Sequence, residues 1–539
     1  MRVATSAKWV AAAAVVALGA SACGSGGGSS SGGSGTAGLV SYQSGEPQNP
    51  LQPANANEVN GGRVLMNLFR GLTQFTPDGK LENAVASSIQ SSDSKHYTVT
   101  LKPNWTFTNG EKVTSDSFID AWNWAAQAKN AQANANWFSV IQGYSDVHPA
   151  SGTPKATTMS GLKKISDTKF DITLNSPISY FNYELAYTGF SPLPKAFFKD
   201  PKAYGQKPVG NGPYKFDSWT HNNQIVVKKW SGYQGSDKPQ NDGIVFKNYS
   251  KADAAYQDLL SNNLDLLDQV DPTDLGHYKK DLGSRAIDQP MSGIQTIAFA
   301  MYNSEWKGVN TAKVRQGLSM AINRPQITKT VLQGSRTPSS AWTAEDTQGY
   351  KAGTCGEFCT YNPTKAKELI KAGGGVPGNK ITVLYNADGG HKQWVDAVCN
   401  SITQATGVAC AGDPKPDFKT ALNLEVNKKL PANELFRNGW QADFPYIANF
   451  LTQTLATGAD ANYGAYSSPE FDALLKKGEQ ASSPEAGAKF YQQAEGVLAK
   501  DMPAIPLWDY RSTTGYSSKV SNVKYDWQGN PVWTQVKKS

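Results

Sequence analysis

Histidine is scarce in this chain. His96, His148, His221, His277 and His391 are scattered, and no H-E-x-x-H stretch occurs. A zinc protease of that kind needs two histidines on one helix face, so the class is excluded, and each histidine reads as exposed or structural. Clusters of Lys and Arg are also missing, and a formal charge of +7 is mild for this length. That leaves no electrostatic footprint for nucleic acid. Beyond residue 22 no apolar run is long enough to span a bilayer. The length suggests two to four folding units of about 150 residues each.

The chain has 5 cysteines. Cys23 belongs to the start. Arg2 and Lys8 supply a basic beginning, Trp9–Ala20 is an apolar run too short for a stable span, and Ala20-Ser21-Ala22 puts small residues before Cys23. Residues 1–22 are expected to be a lipoprotein signal peptide, with the Cys23 thiol lipidated (a palmitate-type anchor) after cleavage. Losing Arg2 and Lys8 takes the formal charge from +7 to +5. Residues 23–38, almost all Gly and Ser, form a flexible tether. Exported chains meet oxidising conditions, so the other four cysteines are expected to pair locally, Cys355–Cys359 and Cys399–Cys410. Zinc is the rival, but the spacings do not match a ribbon and only His391 lies near either pair. No metal is expected.

Three enzyme-like patterns carry no weight. Gly28-Ser29-Ser30-Ser31-Gly32 fits G-x-S-x-G, and Gly33-Ser34-Gly35-Thr36-Ala37-Gly38 fits G-x-G-x-x-G. Both lie in the tether, with no strand before them or helix after. Ser160-Gly161-Leu162-Lys163 fits S-x-x-K without the partner motifs that chemistry requires. Asp265 and Asp268 more simply bound a strand. The chain is read as no enzyme.

Along the folded part, Tyr97, Val99 and Leu101 alternate as a half-buried strand, and so do Phe170, Ile172 and Leu174. Their similar lead-ins, Ser91–Lys95 and Ile165–Lys169, suggest pairing in one sheet. Thr114-Ser115-Asp116 caps a helix burying Phe118, Ala121, Trp122 and Ala125. A turn at Gly210–Tyr214 leads to strands at Gln224–Lys228 and Ile244–Phe246. A helix is expected over Ala254–Leu260, a short strand at Leu264–Asp268, and a buried strand at Thr296–Met301. Asn362-Pro363 and Ser483-Pro484 start helices by cap and first-turn proline. Further elements are Thr311–Ile322, Ile381–Tyr385 and Trp394–Ile402. Strands and helices mix throughout, so the class is mixed α/β.

Leu435-Phe436-Arg437-Asn438-Gly439-Trp440-Gln441-Ala442-Asp443-Phe444-Pro445 sets a cation, a large aromatic and an anion close together. Gly439 and Pro445 punctuate it, so it is expected to be neither helix nor central strand, with backbone groups free for a ligand. A guanidinium at one end and a carboxylate at the other suit a zwitterion such as a peptide. They equally suit an Arg437–Asp443 surface ion pair beside a core Trp440, and these residues alone leave both open.

Several segments together resemble the family 5 extracellular solute-binding proteins, the peptide receptors of ABC importers. They are Trp105–Gly110 with Val113–Asp116, Asn211–Phe216, Val314–Arg324, Tyr361–Ala366, Gly439–Asp443 and Pro503–Leu507. The small residues before Cys23, together with Gly45–Leu51, look most like the oligopeptide-binding lipoproteins of actinobacteria. The resemblance implies a two-lobed periplasmic-binding-protein-like fold with a hinge. One lobe would comprise 39–81, 205–303 and 511–539, the inserted domain 82–204, and the other lobe 304–510. Crossings near Met301–Asn303 and Trp508–Arg511 would form the hinge.

In oligopeptide receptors the Asp of the Gly-Trp-x-Ala-Asp stretch binds the peptide's α-ammonium, which the resemblance assigns to Asp443. Arg437 matches a position that takes a peptide carboxylate. Gly439 and Gln441 would offer main-chain groups as in strand addition, and Trp440 would pack on ligand or in the core. Tyr510 matches a hinge tyrosine, Ala56 and Asn57 the facing loop, and Trp137 a looser ligand contact. Asp443-Phe444-Pro445-Tyr446 departs from the family by lacking the acidic residue that often follows. The expected protein is a monomer without cofactor. It is exported, anchored through Cys23 to the outer face of the cell membrane, and delivers oligopeptides to ABC permease subunits. An oligosaccharide receptor of the same family is the alternative, since this chain is rich in Trp and Tyr.

Overall fold

The computed structural model describes residues 38–303 and 311–539. The expected signal peptide, the lipidated Cys23, the tether up to residue 37 and the start of the 304–510 segment lie outside the described residues.

Among the described residues three larger sheets carry the fold. The first has four strands, in the order Leu39–Ser44, Gly243–Asn248, Gln224–Lys229, Tyr214–Thr220. Its outermost pair is parallel, Leu39 lying opposite Gly243. Val40, Tyr42, Ile225, Val227, Ile244 and Phe246 alternate into the core, the period of a sheet with one buried face. The Tyr214–Thr220 strand appears where the sequence suggested only a turn. Its exposed alternate residues hide the apolar pattern. Conversely, Leu264–Asp268 is not a strand. Leu266 makes isolated bridges to Tyr42 and Tyr516, and the Asp265 carboxylate accepts the Ser41 N–H at 2.8 Å, so a side chain takes the place of a ladder bond.

The second sheet is antiparallel, in the order Ala86–Gln90, His96–Leu101, Lys169–Thr173, Leu162–Ser166. The two strands with similar lead-ins do pair, Tyr97 opposite Ile172 and Val99 opposite Phe170. The helix Ser115–Ala126 covers them. The Phe118 ring stacks on Phe170 at 6.0 Å, and Trp122 meets Phe170 edge-on. The Thr114 N–H donates to Ser117 Oγ, which closes the helix start.

The third sheet has six strands: Arg336–Pro338, Ala504–Gly515, Ala286–Phe299, Glu434–Gln441, Lys380–Asn386 and Ala409–Lys415. The expected buried strand at Thr296–Met301 is the end of the 14-residue Ala286–Phe299 strand, which runs antiparallel to Ala504–Gly515. Local chemistry sets the helices around this sheet. Asn362 Oδ1 accepts the Lys365 N–H at the start of Pro363–Ala372, and Ser483 Oγ accepts the Ala486 N–H at the start of Pro484–Asp501. Each such cap contributes about 1 kcal/mol.

The Cys355 and Cys359 sulfurs lie 2.04 Å apart, and those of Cys399 and Cys410 lie 2.09 Å apart, in the local connectivity. An aromatic seam joins the second-sheet region to the segment after Asp443. Tyr180 lies 5.7 Å from Phe444 and 5.4 Å from Tyr446, and Trp137 meets Phe444 edge-on.

Candidate functional site

The 435–445 stretch corrects one expectation. Glu434–Gln441 is a strand, and it lies between two others. Gly439 does not break it. A Cβ there would come 2.6 Å from the Tyr510 hydroxyl, so glycine lets a tyrosine cross the strand closely. The two ladders differ in length. Pairing with Ala286–Phe299 runs from Leu435 opposite Phe299 to Gln441 opposite Gly293. Pairing with Lys380–Asn386 covers Glu434, Leu435 and Phe436 and stops there. Residues 437–441 therefore keep one edge without a strand neighbour, where backbone N–H and C=O groups remain to be satisfied.

The pairing register sorts the side chains onto two faces. Arg437, Gly439 and Gln441 share one face with Gln295. Tyr510 lies over this face, donating to Gln295 Oε1 at 2.9 Å, and the Arg336 guanidinium sits 4.8 Å above its ring. Gln441 Nε2 donates to the Gln528 carbonyl at 2.7 Å, and Gln528 Nε2 donates back to the Ala442 carbonyl. Trp440 points to the opposite face, where it packs with Ile294, Ala344, Ala442 and Phe450. On that face lies a small pocket, partly open to solvent, lined by Ile294, Ala298, Trp440, Phe450 and Leu455 among others. Among the described residues no charged side chain lines it.

The two charges of the stretch do not pair with each other. Among the described residues neither Arg437 nor Asp443 makes an ion pair. The Arg437 Nη1 donates to Asn386 Oδ1 at 3.3 Å, its Nε is buried without a partner, and its guanidinium lies over the Phe418 ring. Burial and the positive fields of Arg437 and Arg336 lower the nearby His391 to about 3, so this imidazole is neutral. Asp443 is pushed up to about 6 by burial, against the pull of a hydrogen bond from Asn449. A carboxylate removed from water without a counter-ion is costly to keep charged. It gains most from a cation that arrives with a ligand.

Around this centre stand the remaining candidates. Trp137 stacks on Tyr187 at 4.3 Å, and Tyr187 faces Asp443. Asn134 Nδ2 donates to the Ala56 carbonyl at 2.9 Å, which holds the Ala56 loop to the start of the short 3-10 helix Ala135–Val140 that carries Trp137. Asn57 is exposed beside it, its Oδ1 accepting from Asn49. The sequence reading missed Tyr187 and Asn449. Nothing local distinguishes Tyr187 in its segment. Asn449 carries a signal: it is one polar residue among Ile447, Ala448, Phe450 and Leu451, all buried. Among the described residues no group of three or more His, Cys, Asp or Glu is placed to hold a metal ion.

Residues 80–462 match the family described as bacterial extracellular solute-binding proteins, family 5. The chain belongs to that family. As a family 5 solute-binding protein it is exported, and it is a binding protein rather than an enzyme. It is similar to the oligopeptide-binding protein OppA of Bacillus subtilis, with 27% identity over 480 residues and 86% of each chain covered. The dipeptide-binding protein of Lactococcus lactis is 29% identical over 500 residues, covering 86% of this chain and 88% of that one. Among solved structures, Haemophilus influenzae OppA in complex with RPPGFSPFR superposes with a TM-score of 0.79 at 21% identity, covering 93% of this chain and 99% of the other. The family 5 fold is thus mixed α/β and two-lobed, as the sequence implied.

Proposed function

We propose that this solute-binding protein captures oligopeptides by their charged ends and backbone and delivers them to an ABC permease. The observation that carries the reading is Asp443: a half-buried carboxylate that, among the described residues, has no cation within ion-pair distance and sits next to a strand edge with no strand neighbour. A peptide supplies what both lack. Its ammonium would meet Asp443, its backbone would add a strand along residues 437–441, and its carboxylate or an acidic side chain would meet Arg437. Tyr510, Trp137, Ala56 and Asn57 would border the bound chain. The names of the Bacillus subtilis and Lactococcus lactis relatives, oligopeptide- and dipeptide-binding, support the ligand class.

In this reading the chain divides into lobe 39–81, 205–303 and 511–539, an inserted domain 82–204, and lobe 304–510, closing about Met301–Asn303 and Trp508–Arg511. The monomeric receptor is held at the membrane by lipid on Cys23, and both local cysteine pairs are disulfides outside the cell. The test is native mass spectrometry of the purified protein, followed by calorimetry. A heterogeneous set of short-peptide masses is expected. Asp443→Ala should weaken free-amine peptides by about 2 kcal/mol, the scale of a hydrogen bond to a charged group, and leave N-acetylated peptides nearly unchanged. A single sugar mass, or equal losses for both peptide forms, would overturn the reading.

A further inference from the structure

Asn449 is the third residue of the helix Ile447–Leu455 and is fully buried. One atom of its side-chain amide receives two donors, Trp440 Nε1–H at 2.8 Å and the Asp443 backbone N–H at 3.0 Å. Both groups can only donate, so the shared atom is the oxygen. The other atom must then be the nitrogen. It lies 3.2 Å from Asp443 Oδ2 and donates to it. No other side chain among the described residues donates to that carboxylate.

We propose that Asn449 is the positioning residue that fixes the Asp443 carboxylate for a ligand ammonium, holding Oδ2 and leaving Oδ1 free to receive the cation. This rests on the reading of Asp443 given above. Three bonds from one rigid amide tie together the strand, through Trp440, the loop, through the Asp443 N–H, and the carboxylate itself. The orientation of Asp443 is therefore set before ligand arrives, so less rotamer freedom is lost on binding. The residue type is constrained as well. Aspartate would accept both N–H bonds but set a second negative charge against Asp443. A serine hydroxyl, with a single donor hydrogen on a shorter arm, does not supply two acceptances and a donation in that geometry. Asn449 also acts on the proton affinity of Asp443. Its N–H stabilises the ionised carboxylate against burial, which otherwise raises the group. The titratable group facing Asp443 from the neighbouring segment is Tyr187, whose hydroxyl burial keeps protonated. No Lys, Arg or His among the described residues lies within ion-pair distance.

The experiment measures affinity against pH, from 5 to 7.5, for the full chain and its Asn449→Asp variant. The probes are a short random-sequence peptide pool with free amines and the same pool N-acetylated. Wild type should lose free-amine affinity on acidification as Asp443 takes up a proton, with little change for the acetylated pool. In Asn449→Asp that loss should begin about one pH unit higher, again for the free-amine pool alone. Should Asn449→Asp not fold, Asn449→Ala reads the same split: about tenfold or more lost for free amines, against less than about threefold for acetylated peptides. An unmoved pH profile, or equal losses for both pools, assigns Asn449 a purely structural role and overturns the inference. If wild type itself does not distinguish the two pools, the ammonium reading of Asp443 fails, and the inference fails with it.

Discussion

Gly439 shows how one missing side chain shapes the site. The Tyr510 hydroxyl and an Arg437 nitrogen would lie 2.6 Å and 3.0 Å from a Cβ at this position. Gly439→Ala should therefore destabilise the fold by about 1–3 kcal/mol, the range for overpacking. Tyr510→Phe removes the nearer atom, so the double variant should recover part of the loss, and a double-mutant cycle by denaturant unfolding would read the coupling. If the two changes simply add, Tyr510 is not what excludes a side chain there. Arg437 calls for a different test, because its guanidinium donates to a neutral partner, Asn386, and makes no ion pair among the described residues. Arg437→Gln should lower affinity for peptides with a free carboxylate by about 1.5–3 kcal/mol and leave C-amidated peptides almost untouched. Calorimetry on the two peptide forms separates these outcomes. The charge types of Arg437 and Asp443 were readable from the chain. Their failure to pair with each other was not, because contact between residues on a strand and the loop beyond it depends on which face each one takes.

At the scale of elements, the half-paired strand Glu434–Gln441 makes the sharpest demand. If a peptide adds to the free edge of residues 437–441, its amide nitrogens alternate between facing that edge and facing away. An N-methyl scan of a bound peptide should then cost about 1 kcal/mol at alternate positions and little between them. A flat profile would point to recognition by side chains alone. Elements governed by local rules were legible beforehand: the capped helices at Asn362 and Ser483, and the paired strands at Tyr97 and Phe170. The sheet position of Glu434–Gln441 was not. It depends on Ala286–Phe299 and on Lys380–Asn386, distant segments whose register no local pattern encodes, and Gly439 looked like punctuation because its close neighbour, Tyr510, comes from a separate strand later in the chain.

The whole molecule carries an unusual load of buried acid. Burial raises Glu184 and Glu434 to about 8, and Glu425, Glu479, Glu495 and Asp526 to about 7. Glu184 belongs to the second-sheet region and Glu479 ends the helix Pro469–Glu479; the two segments meet where the Ser179 N–H donates to the Glu479 carbonyl at 2.7 Å. Glu184 feels the charge of Glu479 as well as burial, lies near Tyr97 and Tyr180, and one of its oxygens has no partner. An unfolded glutamate titrates near 4.5, so between that value and about 8 the folded protein holds protons that the unfolded chain releases. The stabilisation from these acids is complete below about pH 4.5 and drains away as pH rises through their folded values. His391 runs the other way, because it is neutral when folded and gains a proton on unfolding below about 6.5, so its contribution falls on acidification. The interval from pH 6.5 to 8.5 separates the two effects. Across it the melting temperature should fall, with on the order of 1–2 kcal/mol from Glu184 alone. Glutamine has the shape of the protonated acid and cannot ionise, so Glu184→Gln should flatten that slope and be more stable than wild type across it, the two converging only below about pH 4.5, where both states of wild type hold the proton. A slope identical to wild type would mean that Glu184 is already ionised in the folded protein, which would require a cation or water at this contact to offset its burial.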